Sequence, residues 1–106
     1  MMAIRFLGRS LEVLRSFPAV AKREAGYQLD RVQHGMEPTD WKPMPSIGSG
    51  VREIRIMHEG QFRVIYMAKF ADAVYVLHAF QKKTQKTRKQ DIDAAKQALK
   101  QLLNEV

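Results

Sequence analysis

The stretch from Val51 to Lys83, VREIRIMHEGQFRVIYMAKFADAVYVLHAFQKK, admits few folds, because it packs three apolar, β-branched and aromatic runs between two short polar breaks. Residues of that kind fit a pleated surface, and runs of this length bounded by turn residues read as strands. The first run is Val51 to Met57, the second Gln61 to Ala68 and the third Ala73 to Phe80. His58-Glu59-Gly60-Gln61 supplies a tight connection, with a glycine where positive φ is needed. Lys69-Phe70-Ala71-Asp72 makes the next turn. The expectation is a three-stranded antiparallel sheet with one face covered by the segments on either side.

Those segments read mostly as helix. Ala3 to Leu7 is a short alternating run that can add an edge strand, and Gly8 ends it. Ser10 can cap a short helix in which Leu11, Leu14 and Phe17 recur at helical spacing and face the sheet. A second helix can begin at Pro18, since proline is tolerated in a first turn, and run through Val20, Ala21, Ala25, Leu29 and Val32 to a stop at Gly35. Residues 36 to 50, MEPTDWKPMPSIGSG, hold three of the four prolines and two glycines and read as an irregular connection, with Trp41 plugging the core edge rather than stacking on a base. Thr87-Arg88-Lys89-Gln90 has capping-box spacing and opens an amphipathic helix carrying Ile92, Ala95, Leu99 and Leu102 on one face. The expected fold is α+β: an N-terminal strand and helical hairpin packed on an antiparallel sheet, plus a C-terminal helix.

A chain of 106 residues suits a single domain, 1–106, with one small core. Cysteine is absent, which removes disulfides and thiolate metal sites and suits a reducing cytoplasm. No apolar run approaches the roughly 18 to 20 residues of a membrane span, and the N-terminus lacks a signal-peptide core, so a soluble cytoplasmic protein without membrane contact is expected. The net charge of +7 points to an acidic partner. The excess is uneven: residues 1 to 50 carry seven Lys/Arg against five Asp/Glu, and residues 51 to 106 carry eleven against six. The densest basic tract is Lys82 to Lys89, five cations in eight residues with no acid.

Three pieces of sequence carry a family resemblance: Glu53 to Arg55 in GVREIRI, Phe62 to Tyr66 in GQFRVIY, and His78 to Thr87, HAFQKKTQKT, after the third run. With the preceding strand, helical hairpin and closing helix, the chain resembles the RelE/ParE-like toxin superfamily, most closely its HigB-like, phage-derived branch. The resemblance covers nearly the whole chain. It departs at Arg88, where similar proteins often have proline, and that touches only the helix start. It implies a toxin that cleaves messenger RNA, usually on the ribosome, and is silenced by a neighbouring antitoxin, commonly a helix-turn-helix protein. Relatives on the same fold inhibit DNA gyrase without enzymatic chemistry, and a plain basic RNA- or protein-binding module is a third class; fold alone does not choose among them.

RNA cleavage by attack of the ribose 2′-OH on the adjacent phosphate needs a proton acceptor, cations for the phosphoryl oxygens and a donor for the leaving 5′ oxygen. Arg63 is the first choice for the cation, because its planar fork can hold two phosphate oxygens and stays ionised, and the resemblance places an arginine there. Strand alternation puts Arg63 with Ile65 and Met67, opposite Phe62, Val64 and Tyr66, which are expected against the helices. Arg63 then faces an open side, joined by Glu53 and Arg55 if Ile54 and Ile56 also turn to the helices. Lys82 and Lys83 follow the third run where the superfamily carries basic residues, and a lysine can bind phosphate or donate to the leaving oxygen. His78 can act as a general acid or base or simply pack in its strand, and is the weaker candidate. Glu53 matches a place where some relatives have a cation, so the general base is open. Lys82, Lys83, Lys86, Arg88 and Lys89 form the expected anchor for RNA and ribosome, which an acidic antitoxin segment could also occupy. His34, His58 and His78 make no close pair, and Asp91 with Asp93 reads as a helix-start feature, so neither metal nor cofactor is expected.

Overall fold

The protein is described here by a computed structural model covering residues 1–68 and 73–105. The expected turn at Lys69 to Asp72 lies outside the described residues. The elements are β1 (Ala3–Phe6), α1 (Ser10–Arg15), α2 (Ala19–Gln33), β2 (Trp41–Pro43), β3 (Val51–Met57), β4 (Gln61–Met67), β5 (Ala73–Lys82) and α3 (Lys89–Glu105). The sheet has five strands in the order β1-β5-β4-β3-β2. The three expected strands form its centre, antiparallel throughout. Two more extend it: β1 lies parallel to β5, and β2 adds an antiparallel edge on β3. The second addition corrects the reading of residues 36 to 50 as wholly irregular.

The sheet is covered on both faces, not one. On the first, α1 and α2 bury Leu14, Phe17, Ala21, Ala25, Leu29 and Val32 against Ile54, Ile56, Phe62, Val64 and Tyr66. Phe17 and Phe62 meet with ring centroids 4.8 Å apart. On the second, Ala95, Ala98, Leu99 and Leu102 of α3 pack on Val51, Ile65, Met67, Tyr75 and Leu77. The expected face assignments of β3 and β4 are therefore observed, but the side taken as open is roofed by α3 over Val51, Ile65 and Met67. A chain that is apolar on both sides of its middle strand has to bury both.

Local details follow the same chemistry. Gly35, at φ +81°, ends α2. Its N–H reaches Val32 O at 3.0 Å and the Met36 N–H reaches Arg31 O at 2.9 Å, the paired bonds of a Schellman stop. Val20 is exposed rather than core. Ser10 does not cap α1; it is buried and donates its hydroxyl to Val76 O at 3.2 Å, pinning the helix to β5. Trp41 is half-buried on edge strand β2, covered by the Arg52 guanidinium 4.1 Å from its ring centroid. The Thr87 capping box is displaced, since α3 begins at Lys89.

One irregularity matters most for function. Ile65 pairs with His78 but Tyr66 pairs with Val76, so Leu77 is an extra residue in β5. A bulge of this kind turns the strand's alternation by one residue. Before it, Tyr75 faces α3; after it, His78, Phe80 and Lys82 do, being opposite Ile65, Arg63 and Gln61. Without Leu77 those side chains would point to the helical hairpin.

Candidate active site

At the end of the sheet beyond α3, four strands place charged residues on one face. Strand β3 brings Glu53 and Arg55, β4 brings Arg63 opposite Arg55, β5 brings Lys82 opposite Gln61, and β2 brings Lys42 opposite Glu53. Lys42 was not singled out from sequence; it stands in the proline-rich stretch, and only its pairing with Glu53 reveals it.

Glu53 is fully buried, and neither of its carboxylate oxygens has a hydrogen-bond partner. Its neighbours are cations held slightly too far for hydrogen bonds: Arg63 Nε at 3.6 Å and Lys42 Nζ at 3.9 Å from Oε1. Glu53 is thus sealed from solvent, with Arg63 and Lys42 as its nearest counter-charges. Arg63 is itself buried, with 5 % exposure. It donates from Nη1 to Phe62 O at 3.0 Å and from Nη2 to Gln61 Oε1 at 2.8 Å, while its Nε–H is unmatched. Burial pulls Arg63 below the ordinary arginine range, opposed by the charge of Glu53. The expected open Arg63 is thus a covered one. The Gln61 side chain that it bonds is exposed.

Arg55 is turned to Asp40, with Nε and Nη2 at 3.0 and 2.8 Å from Oδ1. Lys82 is half-buried, and its pKa is held below the usual lysine value by burial and then by the charge of Arg63. Lys82 and Lys83 line a groove with Gly60, Gln61, Thr84 and Gln85. Among the anchor residues, Arg88 bonds Asp91 at 3.3 Å and Lys89 bonds Asp93 at 3.1 Å, so these two are already paired. Lys83 and Lys86 are exposed and meet no acid among the described residues.

His78 belongs to a different cluster. Its Nε2 lies 2.8 Å from Asp91 Oδ1 and its ring stacks on Phe80 at 5.4 Å. Asp91 stands in the first turn of α3, as expected, and is buried, so the pair ties that turn to β5. No group of three metal-ligating side chains occurs among the described residues.

The cluster therefore holds four cations, Lys42, Arg55, Arg63 and Lys82, against Glu53 and Asp40. A cluster of this sign attracts anions by simple electrostatics. Every residue of it lies within residues 12–100, over which the sequence matches the family described as "Phage derived protein Gp49-like (DUF891)". The chain belongs to this Gp49-like family. A search of curated proteins finds no match. Among solved structures, the Gp49-like chain is similar in fold to E. coli toxin RelE, a double arginine-to-alanine mutant in the free state. The TM-score is 0.63 at 15 % identity, over 95 % of this chain and 97 % of that one. The fold is thus RelE-like. In addition, no helix among the described residues is long and apolar enough to cross a membrane.

Proposed function

We propose that this Gp49-like protein is the toxin of a type II toxin–antitoxin system and acts as an endoribonuclease that cleaves messenger RNA on the ribosome in the cytoplasm. The observation that carries the reading is the presence of Lys42, Arg55, Arg63 and Lys82 on one face of a RelE-like sheet, with Lys82 also lining the groove that holds Lys83. That face suits a reaction whose transition state gathers charge on phosphoryl oxygens. Arg63, once released by Gln61, offers its fork to the phosphate, and Lys82 stands where it can bind phosphate or give a proton to the leaving 5′ oxygen. A lysine with a lowered pKa is the better proton donor of the two. With Glu53 sealed away, catalysis on this face consists of positioning and charge stabilisation, and the RNA has to be presented in an attack-ready geometry. A ribosome holding a messenger strand supplies that. Lys83 and Lys86 extend the basic track along which the strand is anchored, and an acidic segment of a helix-turn-helix antitoxin silences the protein by covering the same cations.

The test is induced expression of wild type and Arg63→Lys, with genome-wide mapping of new messenger RNA 5′ ends. Lysine keeps a charge beside Glu53 but lacks the fork. New ends inside translated frames, lost in the variant, are expected. Growth arrest without new ends would reject the nuclease and turn attention to a target such as DNA gyrase.

A further inference from the structure

Lys42 is the more exposed of the two cations beside Glu53. It lies on edge strand β2, directly opposite Glu53 in register, which puts it on the face of Arg63 and Lys82. Its side chain is 43 % exposed while that of Glu53 is 0 % exposed, so the ammonium stands at the boundary with the buried anion beneath it and solvent above. At 3.9 Å from Oε1 it is drawn by charge without being hydrogen-bonded. Its three N–H groups meet no acceptor among the described residues.

The two arginines of the face are more fully engaged. Arg55 is held by Asp40, and Arg63 by Phe62 O and Gln61. A buried carboxylate with empty acceptor sites holds any cation that can reach it. Arg63 and Lys42 are the two described cations within 4 Å of Glu53. Lys42 is also near enough to Lys82 for its charge to bear on it, behind burial, the Arg63 charge and the opposing charge of Glu53. We infer that Lys42 is a phosphate-binding residue of this site, held over the face by Glu53 as a positioning residue, and that it grips the backbone of the same RNA strand as Lys82. The inference rests on the nuclease reading and widens its site from β4 and β5 to the opposite edge of the sheet.

The experiment measures binding of a non-cleavable 2′-O-methyl RNA oligonucleotide at several salt concentrations for wild type, Lys42→Ala, Lys42→Arg, Lys22→Ala and Arg63→Lys. Each phosphate contact on a single strand contributes about 0.7 to the slope of log K against log salt. Lys42→Ala is expected to lower the slope by about 0.7, so that its deficit against wild type shrinks roughly 2.6-fold between about 50 and 200 mM salt. Lys42→Arg should restore the slope, and Lys22→Ala, on the far face of α2, should leave it unchanged. A slope unaltered by Lys42→Ala, or altered equally by Lys22→Ala, would overturn the role of Lys42 while leaving the nuclease reading standing if Arg63→Lys weakens binding. Wild type that binds no RNA would overturn both.

Discussion

Glu53 and Arg63 make the sharpest stability prediction, because their dependence on each other is unequal. Glu53 is wholly buried with no hydrogen bond, and its nearest charge is Arg63 Nε at 3.6 Å. Arg63 has two further anchors, Phe62 O and Gln61 Oε1. Removing Arg63 therefore strands a buried carboxylate, with only Lys42 at 3.9 Å to answer it. Breaking a buried pair in this direction costs about 3–5 kcal/mol. Removing Glu53 takes the counter-ion from Arg63 but leaves its two hydrogen bonds, so it should cost less than removing Arg63, about 1–3 kcal/mol. Replacing both by leucine removes two desolvated charges together, which is often near neutral. Urea unfolding of Glu53→Leu, Arg63→Leu and the double variant gives the coupling directly. The expected order is Arg63→Leu least stable, Glu53→Leu intermediate and the double variant close to wild type, with a coupling of at least about 2 kcal/mol. At about 4–8 °C per kcal/mol for a domain of this size, Arg63→Leu should melt roughly 12 °C or more below wild type. Single-variant losses that simply add, or Glu53→Leu costing more than Arg63→Leu, would refute the assignment of Glu53 as the dependent partner.

Two other outcomes follow from the geometry. Burial and then the Arg63 charge lower the Lys82 pKa in the free protein, and a bound phosphate favours the charged form. Binding then takes up a proton once the pH passes that lowered value, so affinity for 2′-O-methyl RNA should be level below it and fall as pH rises toward 10.5, while Lys82→Arg stays flat. Equal pH profiles for the two proteins would remove Lys82 from the phosphate contact. Asp91→Asn should cost about 1–3 kcal/mol in urea unfolding, by weakening the 2.8 Å bond to His78 that fastens α3 to β5; an unchanged midpoint would show that the pair holds nothing.

Much of this fold is legible in the sequence because the informative patterns are local. Alternation in β4 separates Phe62, Val64 and Tyr66 from Arg63, Ile65 and Met67, and the observed cores divide along that line. The same period of two puts Glu53 with Arg55 on one face of β3, and the register of β3 on β4 brings Arg63 to that face. What escaped is what depends on distant pairing. A three-residue strand such as Trp41–Pro43, ending in proline, has no pattern of its own, and without β2 the proximity of Lys42 to Glu53 is invisible. Leu77 looks like one more apolar residue in an apolar run, yet it resets the facing of His78, Phe80 and Lys82. Its signal was present in retrospect: strict alternation through β5 would put Lys82 with Val74 and Val76, on the helical-hairpin side. The burial of both faces was also signalled, by Ile65 and Met67 lying beside Arg63, since two large apolar side chains on a supposedly open face call for a cover. Burial of Glu53 had no such signal, because a glutamate in a charged strand usually reads as solvated.

The most direct test of the central claim is incubation of the purified protein with ribosomes paused on a defined messenger RNA, followed by analysis of the RNA ends. The account predicts cleavage within the translated frame that leaves a 2′,3′-cyclic phosphate, that requires the ribosome, and that disappears when the single ribose at the cut carries 2′-deoxy in place of its hydroxyl. Intact messenger RNA in the presence of folded protein and ribosomes, or cleavage indifferent to that hydroxyl, would contradict it.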